Sequence, residues 1–411
     1  MMERSKYFPV AGAVYLNYAM LGIATVIISQ YSNYFEKAWS TNLAGISQVI
    51  SMVGIARIIV ILFAGPASDR FGRKAIAITS CISTLIFFVG LIISPNIIVA
   101  DITALFFGIS QSVADTSCYP ILTEAFQEKA PSMMPLVKAA MSLAQIVLPF
   151  LIAAFPTAVP LLIIFAVIMV LNAVFFALCK YAPQTIEKID KKVETKTAAN
   201  KDNAEPIVKR SIWLDGGPLV FIGFSSCITF YLFMQYIPAF GTNILHLSSS
   251  AAGTLLSWYA TASLISVFVS SLIVTKVKPI TIVLLYTVIS VIFLFILVLF
   301  PSVMLAKITG LIIGFFAAGG VWQLGLSILT TYFPNAKGRV TSYYSCGAAL
   351  SYWIGPALCA ILITNKPGSV VNAFWLDIII TLMGIAAAAL VFARDKMKNK
   401  EPAEKLMNMS H

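Results

Sequence analysis

Residues 65–74 read GPASDRFGRK, a short polar segment between two long apolar stretches. Gly72 suits a tight turn because glycine readily adopts a positive φ. Asp69 places one carboxylate among three cationic side chains. The apolar stretches on either side, 43–64 and 75–94, each have about the 20 residues that cross the hydrocarbon core of a bilayer. The segment therefore predicts a loop that joins two membrane-spanning helices.

The composition extends this interpretation to the whole chain of 411 residues. Hydrophobic residues make up 59% and charged residues only 11%, whereas soluble proteins carry about 25% charged residues. Backbone polar groups must be satisfied internally in lipid, so every span should be a helix. We therefore expect an all-α membrane protein and exclude a water-soluble enzyme. The predicted spans 1 to 12 are 9–31, 43–64, 75–94, 99–123, 135–155, 157–180, 216–239, 250–275, 279–299, 303–332, 340–363 and 370–393.

Charge placement predicts the orientation. The two termini and the even-numbered connections hold 24 of the 28 lysines and arginines. By the positive-inside rule, this side faces the cytoplasm. We therefore expect a multi-pass protein of the plasma or inner membrane with both termini cytoplasmic. The net charge of +11 is that of a cytoplasmic membrane face, so we expect no nucleic-acid partner.

The chain divides into two similar halves. The motif Ile-Leu-Thr at 121–123 recurs at 328–330, and Pro149 recurs as Pro356, both at an offset of 207 residues. The longest hydrophilic stretch lies between spans 6 and 7 and resembles a linker. The expected units are a bundle of six helices at 1–180, a cytoplasmic linker at 181–215, a second bundle at 216–393 and a cytoplasmic tail at 394–411.

The loop at 65–74 resembles the signature loop of the major facilitator superfamily, with every fixed position of that motif filled. The strings DTSCYPILTEAF at 115–126 and AAGGVWQLGLSILTTYFP at 317–334 resemble a bacterial branch of largely unassigned substrate. The resemblance implies two pseudo-symmetric six-helix bundles and transport by alternating access. It also implies a cytoplasmic latch in which Asp69 faces the start of span 11. The gating residues expected from it are Gly65, Asp69, Arg70, Gly72, Arg73, Glu124 and Arg339.

A charged residue within a predicted span needs a partner or a function, because it costs at least about 2.5–3.5 kcal/mol near the bilayer centre. Arg57 in span 2 and Asp115 in span 4 lie at one depth, since a helix rises 1.5 Å per residue. An ion pair is expected, either as a static structural contact or with Asp115 as the proton-coupling group. Lys138 in span 5 either extends toward the headgroups or faces the cavity as counter-charge to an anion.

Polar and aromatic residues of the spans that line the cavity in this family describe a site for a small polar solute. With Arg57 and Lys138 as the available cations, an organic anion is expected. Gly319 and Gly320 in span 10 would allow either a close approach between helices or a bend. The candidate substrate-binding residues are Asn17, Tyr18, Arg57, Gln111, Lys138, Gln145, Tyr231, Gln235, Trp258, Trp322, Gln323 and Tyr352.

The expected function is secondary active transport by proton-coupled symport. Protons are favoured over sodium because the sequence shows no evident unwound, carbonyl-rich helix of the kind that binds sodium. Efflux of drugs or metabolites is the alternative, and a sensor that has lost transport stays open. No phosphate-binding loop motif occurs, and we expect neither an enzyme nor a cofactor or metal. The expected partners are the substrate, protons and lipid, with the chain a monomer.

Overall fold

The computed structural model of the protein describes residues 6–183, 210–273, 279–333 and 336–408. In these ranges the regular elements are all helical, and twelve helices are long and apolar enough to cross a membrane. The predicted fold class is therefore confirmed. Spans 1 to 12 are Phe8–Gln30, Leu43–Phe71, Arg73–Ile93, Ile97–Phe126, Ser132–Ala154, Ala158–Leu178, Ile212–Asn243, Ser249–Val269, Pro279–Leu299, Val303–Tyr332, Arg339–Leu362 and Pro367–Met397.

Local sequence sets several helix ends. Asn42 and Asn96 begin spans 2 and 4, and each side-chain oxygen accepts a hydrogen bond from the backbone N–H three residues on, at 3.1 Å. Ser302 does the same for span 10 at 3.2 Å. These side chains satisfy backbone donors that have no partner within the helix. Gly72 separates spans 2 and 3 with φ 90°, which confirms the predicted tight turn.

The expected linker lies mostly outside the described residues, as does part of the tail. Span 7 begins at Ile212, four residues earlier than predicted. Two ion pairs join the start of this span to the end of span 12: Arg210 with Asp395 at 2.8 Å, and Arg394 with Asp215 at 2.9 Å. Residues assigned to the linker and the tail thus hold two helix ends together.

Spans 1–6 form the N-half and spans 7–12 the C-half, and the two meet along three pairs of helices. Span 2 packs against span 11, span 5 against span 8, and span 1 against span 7. Gly54 marks the closest approach, because a Cβ atom there would collide with the backbone of Tyr352 and Trp353. The absence of a side chain at Gly54 therefore lets spans 2 and 11 touch.

The halves are joined on one membrane face, which we call the 31–42 face after the connection between spans 1 and 2. There Asn33 donates to Ser249 at 3.0 Å, Gln30 donates to the Gly253 carbonyl at 3.4 Å, and Asn42 donates to Asn365. On the opposite face, named the 65–74 face, Phe71 is 65% and Tyr343 50% exposed. Among the described residues, these hydrogen bonds between the halves lie at the 31–42 face.

Span 10 is interrupted in its middle. The α-helix Val303–Ile312 passes into a π-helical turn, Ile313–Ala317, and a second α-helix runs from Val321 to Tyr332. Gly320, directly before the second α-helix, has φ 153°, a conformation that favours glycine. The regular α-helical hydrogen-bond pattern is thus interrupted between Ile312 and Val321.

Candidate functional site

A central cavity of about 400 Å³ lies between the two halves. Its size falls at the lower end of the roughly 300–1,000 Å³ typical of small-molecule sites. Spans 1, 2, 4 and 5 supply one wall, and spans 7, 8, 10 and 11 the other. The lining residues are Tyr18, Leu21, Thr25, Arg57, Ile61, Gln111, Asp115, Tyr119, Lys138, Met141, Gln145, Cys227, Phe230, Met234, Tyr259, Ala318, Trp322, Gln323, Ser345, Ala348, Ala349 and Tyr352.

Arg57 and Asp115 form the ion pair that their depth predicts. Arg57 Nη2 lies 2.9 Å from Asp115 Oδ2, and Arg57 Nη1 donates to Gln111 Oε1 at 3.1 Å. Tyr18 donates its hydroxyl to Asp115 Oδ1 at 2.8 Å. The guanidinium also lies 4.6 Å from the ring centre of Tyr352 in the C-half. The pair is thus held by three neighbours, one of them across the interface between the halves.

Lys138 lines the cavity. Its Nζ lies 5.6 Å from the ring centre of Phe230. Among the residues that the structure describes, no carboxylate pairs with it. The cavity therefore holds two cations and one acid, with Lys138 as the cation that has no counter-charge.

Most predicted substrate-binding residues lie on this cavity. Two of the remaining residues are buried between helices, where they form hydrogen bonds to a neighbouring helix. Asn17 donates to Ser80 Oγ at 3.1 Å within the N-half, and Gln235 donates to the Thr25 carbonyl at 2.8 Å. The predicted residues that line the cavity are Tyr18, Arg57, Gln111, Asp115, Lys138, Gln145, Trp322, Gln323 and Tyr352.

Two predicted aromatic residues also lie off the cavity wall. Tyr231 is buried behind Tyr352, with ring centres 4.5 Å apart. Trp258 is 41% exposed, and Lys307 Nζ lies 5.6 Å from its ring centre. Both residues belong to spans that line the cavity but lie on other faces of their helices. Tyr231 packs against Tyr352, and Trp258 is partly exposed.

The sequence prediction missed several cavity residues of apolar or aromatic type. Tyr119 lies one turn after Asp115 on span 4, so the spacing of four residues could have found it. Phe230, Met234 and Tyr259 carry no such signal, because an aromatic or thioether side chain facing a cavity has the same composition as one facing lipid.

The prediction of a loop over 65–74 is wrong in extent, because span 2 stays helical to Phe71 and span 3 begins at Arg73. Charges of the N-half hold this segment. Arg73 lies 2.6 Å from Asp69 and 3.3 Å from Glu124. Asp69 is 69% exposed at its side chain and pairs with Arg73, where the family resemblance implied a partner on span 11. Among the described ion pairs, none joins Asp69 to span 11.

The other expected gating residues have fewer contacts. Arg70 and Arg339 are exposed, and the Arg70 guanidinium lies 5.5 Å from the Phe71 ring centre. A side chain at Gly65 would meet no atom within 4 Å. Among the described residues there is no cluster of three or more metal-ligating side chains.

Two six-helix halves with a charged cavity between them are the architecture of secondary membrane transporters. The sequence model of the Major Facilitator Superfamily matches residues 7–322 and 219–407. The chain belongs to this superfamily, and it is a transporter rather than an enzyme.

Curated relatives extend along almost the whole chain. The inner membrane transport protein YdiM of Escherichia coli (strain K12) is 34% identical over 403 residues, covering 97% of each chain. The inner membrane transport protein YdiN of the same organism is 30% identical, covering 93% of this chain and 89% of its own. The uncharacterized MFS-type transporter YfkL of Bacillus subtilis (strain 168) is 29% identical, covering 94% and 96%. None of these names states a substrate.

Solved structures share the fold at low sequence identity. A D-xylose-proton symporter has a TM-score of 0.72 at 14% identity, covering 94% of this chain and 97% of its own. The nucleoside transporter NupG, solved as a point mutant, has a TM-score of 0.72 at 11% identity, covering 93% and 99%. At these identities the likeness establishes the fold and leaves the substrate open.

Proposed function

We propose that this chain is a proton-coupled symporter of a small organic anion, acting as a monomer with both termini in the cytoplasm. The observation that carries the proposal is the arrangement of charges in the central cavity. Arg57 and Asp115 neutralise each other at 2.9 Å, and Lys138 lines the same cavity without an acidic partner among the described residues. A cavity with excess positive charge favours an anion.

Coupling between proton and substrate follows from the position of Arg57, which pairs with Asp115 and also lines the cavity. While Asp115 is ionised, its charge balances that of Arg57. A proton on Asp115 leaves the guanidinium without a counter-charge, so the attraction for an anion in the cavity increases. Because linkage is reciprocal, a bound anion then favours the proton by the same factor. Asp115 is the proposed proton-binding residue, and Arg57 transmits its protonation state to the substrate.

The loop at 65–74 serves the conformational cycle in this proposal. Asp69, Arg70, Gly72, Arg73 and Glu124 would meet the start of span 11, including Arg339, when the 65–74 face closes. In the structure, Arg73 lies between Asp69 and Glu124. The distribution of lysine and arginine supports the assignment of this face to the cytoplasm.

Transport by reconstituted vesicles tests the proposal. We expect radiolabelled organic acids, with 3-phenylpropanoate and quinate as first probes, to accumulate when the external medium is made acidic. Asp115→Asn should abolish accumulation against a gradient, because its side chain carries no titratable proton, and should spare exchange of labelled for unlabelled substrate.

Asp101→Asn is the matched control, because Asp101 lies on the same helix, outside the cavity, and accepts from Gln48 at 2.7 Å. Concentrative uptake by Asp115→Asn would remove that residue from the coupling step. Substrate exit driven by proton entry would identify an efflux antiporter instead.

A further inference from the structure

The two walls of the cavity differ in chemistry. The three charged lining residues, Arg57, Asp115 and Lys138, all belong to the N-half. Within the described residues, the C-half contributes no charged residue to the lining. Its wall is built from aromatic rings and small or apolar side chains, with Gln323 and Ser345 as polar exceptions. A ligand that spans both walls must therefore have a charged end and an apolar end.

The charged end has one available partner. Arg57 is engaged by Asp115 and Gln111 and packs on Tyr352. Lys138 has the face of Phe230 near its ammonium group, at 5.6 Å from the ring centre. With Asp115 ionised, the lining carries one net positive charge, which a single carboxylate balances. In that form a second carboxylate would have to compete with Asp115 for Arg57.

The apolar end of the ligand would contact the aromatic rings of the C-half wall. Phe230, Tyr259, Trp322 and Tyr352 come from four different spans of the C-half and converge on the cavity. Met141 and Met234 fill the space beside them, and a thioether makes favourable contacts with an aromatic ring. Aromatic pairs gain energy beyond the burial of area alone. A planar ring fits this wall better than a polyhydroxylated one, which would leave several hydroxyl groups without partners.

We infer that the cavity selects an aromatic monocarboxylate, with its carboxylate on Lys138 and its ring against the C-half wall. This inference rests on the proposed anion transport and names the class of anion. It also gives the two cations different roles: Lys138 binds the substrate, and Arg57 responds to the protonation state of Asp115.

The test is equilibrium binding to the purified full-length protein with four probes of related shape. We use 3-phenylpropanoate, its uncharged amide, 3-cyclohexylpropanoate and phenylsuccinate, which adds a second carboxylate, and compare them with quinate. We expect 3-phenylpropanoate to bind most tightly. Lys138→Gln should weaken it by roughly 10- to 100-fold, the loss expected for a charge-assisted hydrogen bond, without changing the affinity for the amide.

Lys307→Gln is the matched control, because Lys307 also lies 5.6 Å from an aromatic ring centre, that of Trp258, but outside the cavity. This variant should bind all probes like the parent protein. Lys138→Arg should retain most of the affinity, which separates loss of charge from loss of folding. Phe230→Leu should remove a preference of about 2- to 10-fold for the phenyl over the cyclohexyl probe.

Several results would overturn the inference. These are absence of 3-phenylpropanoate binding, unchanged affinity in Lys138→Gln, or tighter binding of phenylsuccinate or quinate. If quinate accumulates with protons and depends on Asp115, the symport proposal stands and the aromatic assignment is wrong. If 3-phenylpropanoate binds through Lys138 but its uptake ignores the pH gradient, the substrate class stands and proton coupling is wrong.

Discussion

Arg57 shows why the type of cation matters at a single position. Its guanidinium contacts Asp115, Gln111 and the ring of Tyr352 at the same time. A planar group with five donors can do this, whereas an ammonium group acts as a point charge. Asp115 is likewise fixed from a second side by Tyr18 at 2.8 Å. Both charges are thereby positioned toward the interface between the halves.

Gly72 and Gly65 form a natural comparison within the segment 65–74. Gly72 has φ 90°, a conformation that costs other residues about 1–3 kcal/mol. Gly65 is helical and has open space where a side chain would lie. We expect Gly72→Ala to lower the thermal unfolding midpoint in detergent, and Gly65→Ala to leave it unchanged or raise it slightly, since alanine favours helix. Equal midpoints would show that the turn does not need glycine.

At the scale of elements, the break in span 10 determines how this helix meets the cavity. The second segment begins at Val321, so Trp322 and Gln323 lie in its first turn and face the site. Ala318 in the turn before it also lines the cavity. Segments with interrupted hydrogen bonding are frequent at functional sites. The wall that carries Trp322 is thus attached to the more deformable part of its helix.

The contact of span 2 with span 11 yields a prediction about the conformational equilibrium. Gly54→Leu places a side chain where the backbone of Tyr352 and Trp353 lies, so the closed 31–42 face should become less populated. Spin labels on unnatural amino acids at positions 37 and 250, exposed on opposite halves, should report longer distances in this variant.

Leu62→Phe is the control for this experiment. It adds volume to the same helix at a side chain that is 64% exposed, away from span 11. Its distance distribution should match that of the parent protein. An unchanged distribution in Gly54→Leu would mean that the halves can separate locally without opening the whole face.

At the scale of the molecule, the sequence predicts the helices and the central ion pair but only part of the cavity. Long apolar runs determine the spans because lipid leaves the backbone no alternative to a helix. Arg57 and Asp115 are found from sequence because charges are rare at that depth. Asn17 and Gln235 are predicted to line the cavity but do not, because buried amides also form hydrogen bonds between helices. Phe230 and Tyr259 are missed because apolar spans carry no contrast between a face toward lipid and a face toward the cavity.

The three charges of the cavity set how the carrier responds to membrane voltage under the proposed mechanism. The empty cavity, with Arg57, Lys138 and ionised Asp115, carries one net positive charge. The loaded cavity adds one proton and one monoanion and carries the same charge. One charge crossing 100 mV is worth about 2.3 kcal/mol. Because the empty and the loaded carrier move the same charge when they reorient, this energy cancels over a full transport cycle. The final accumulation ratio at a fixed pH gradient should not change when a potassium ionophore sets the voltage, and current-generating uptake would require a different stoichiometry.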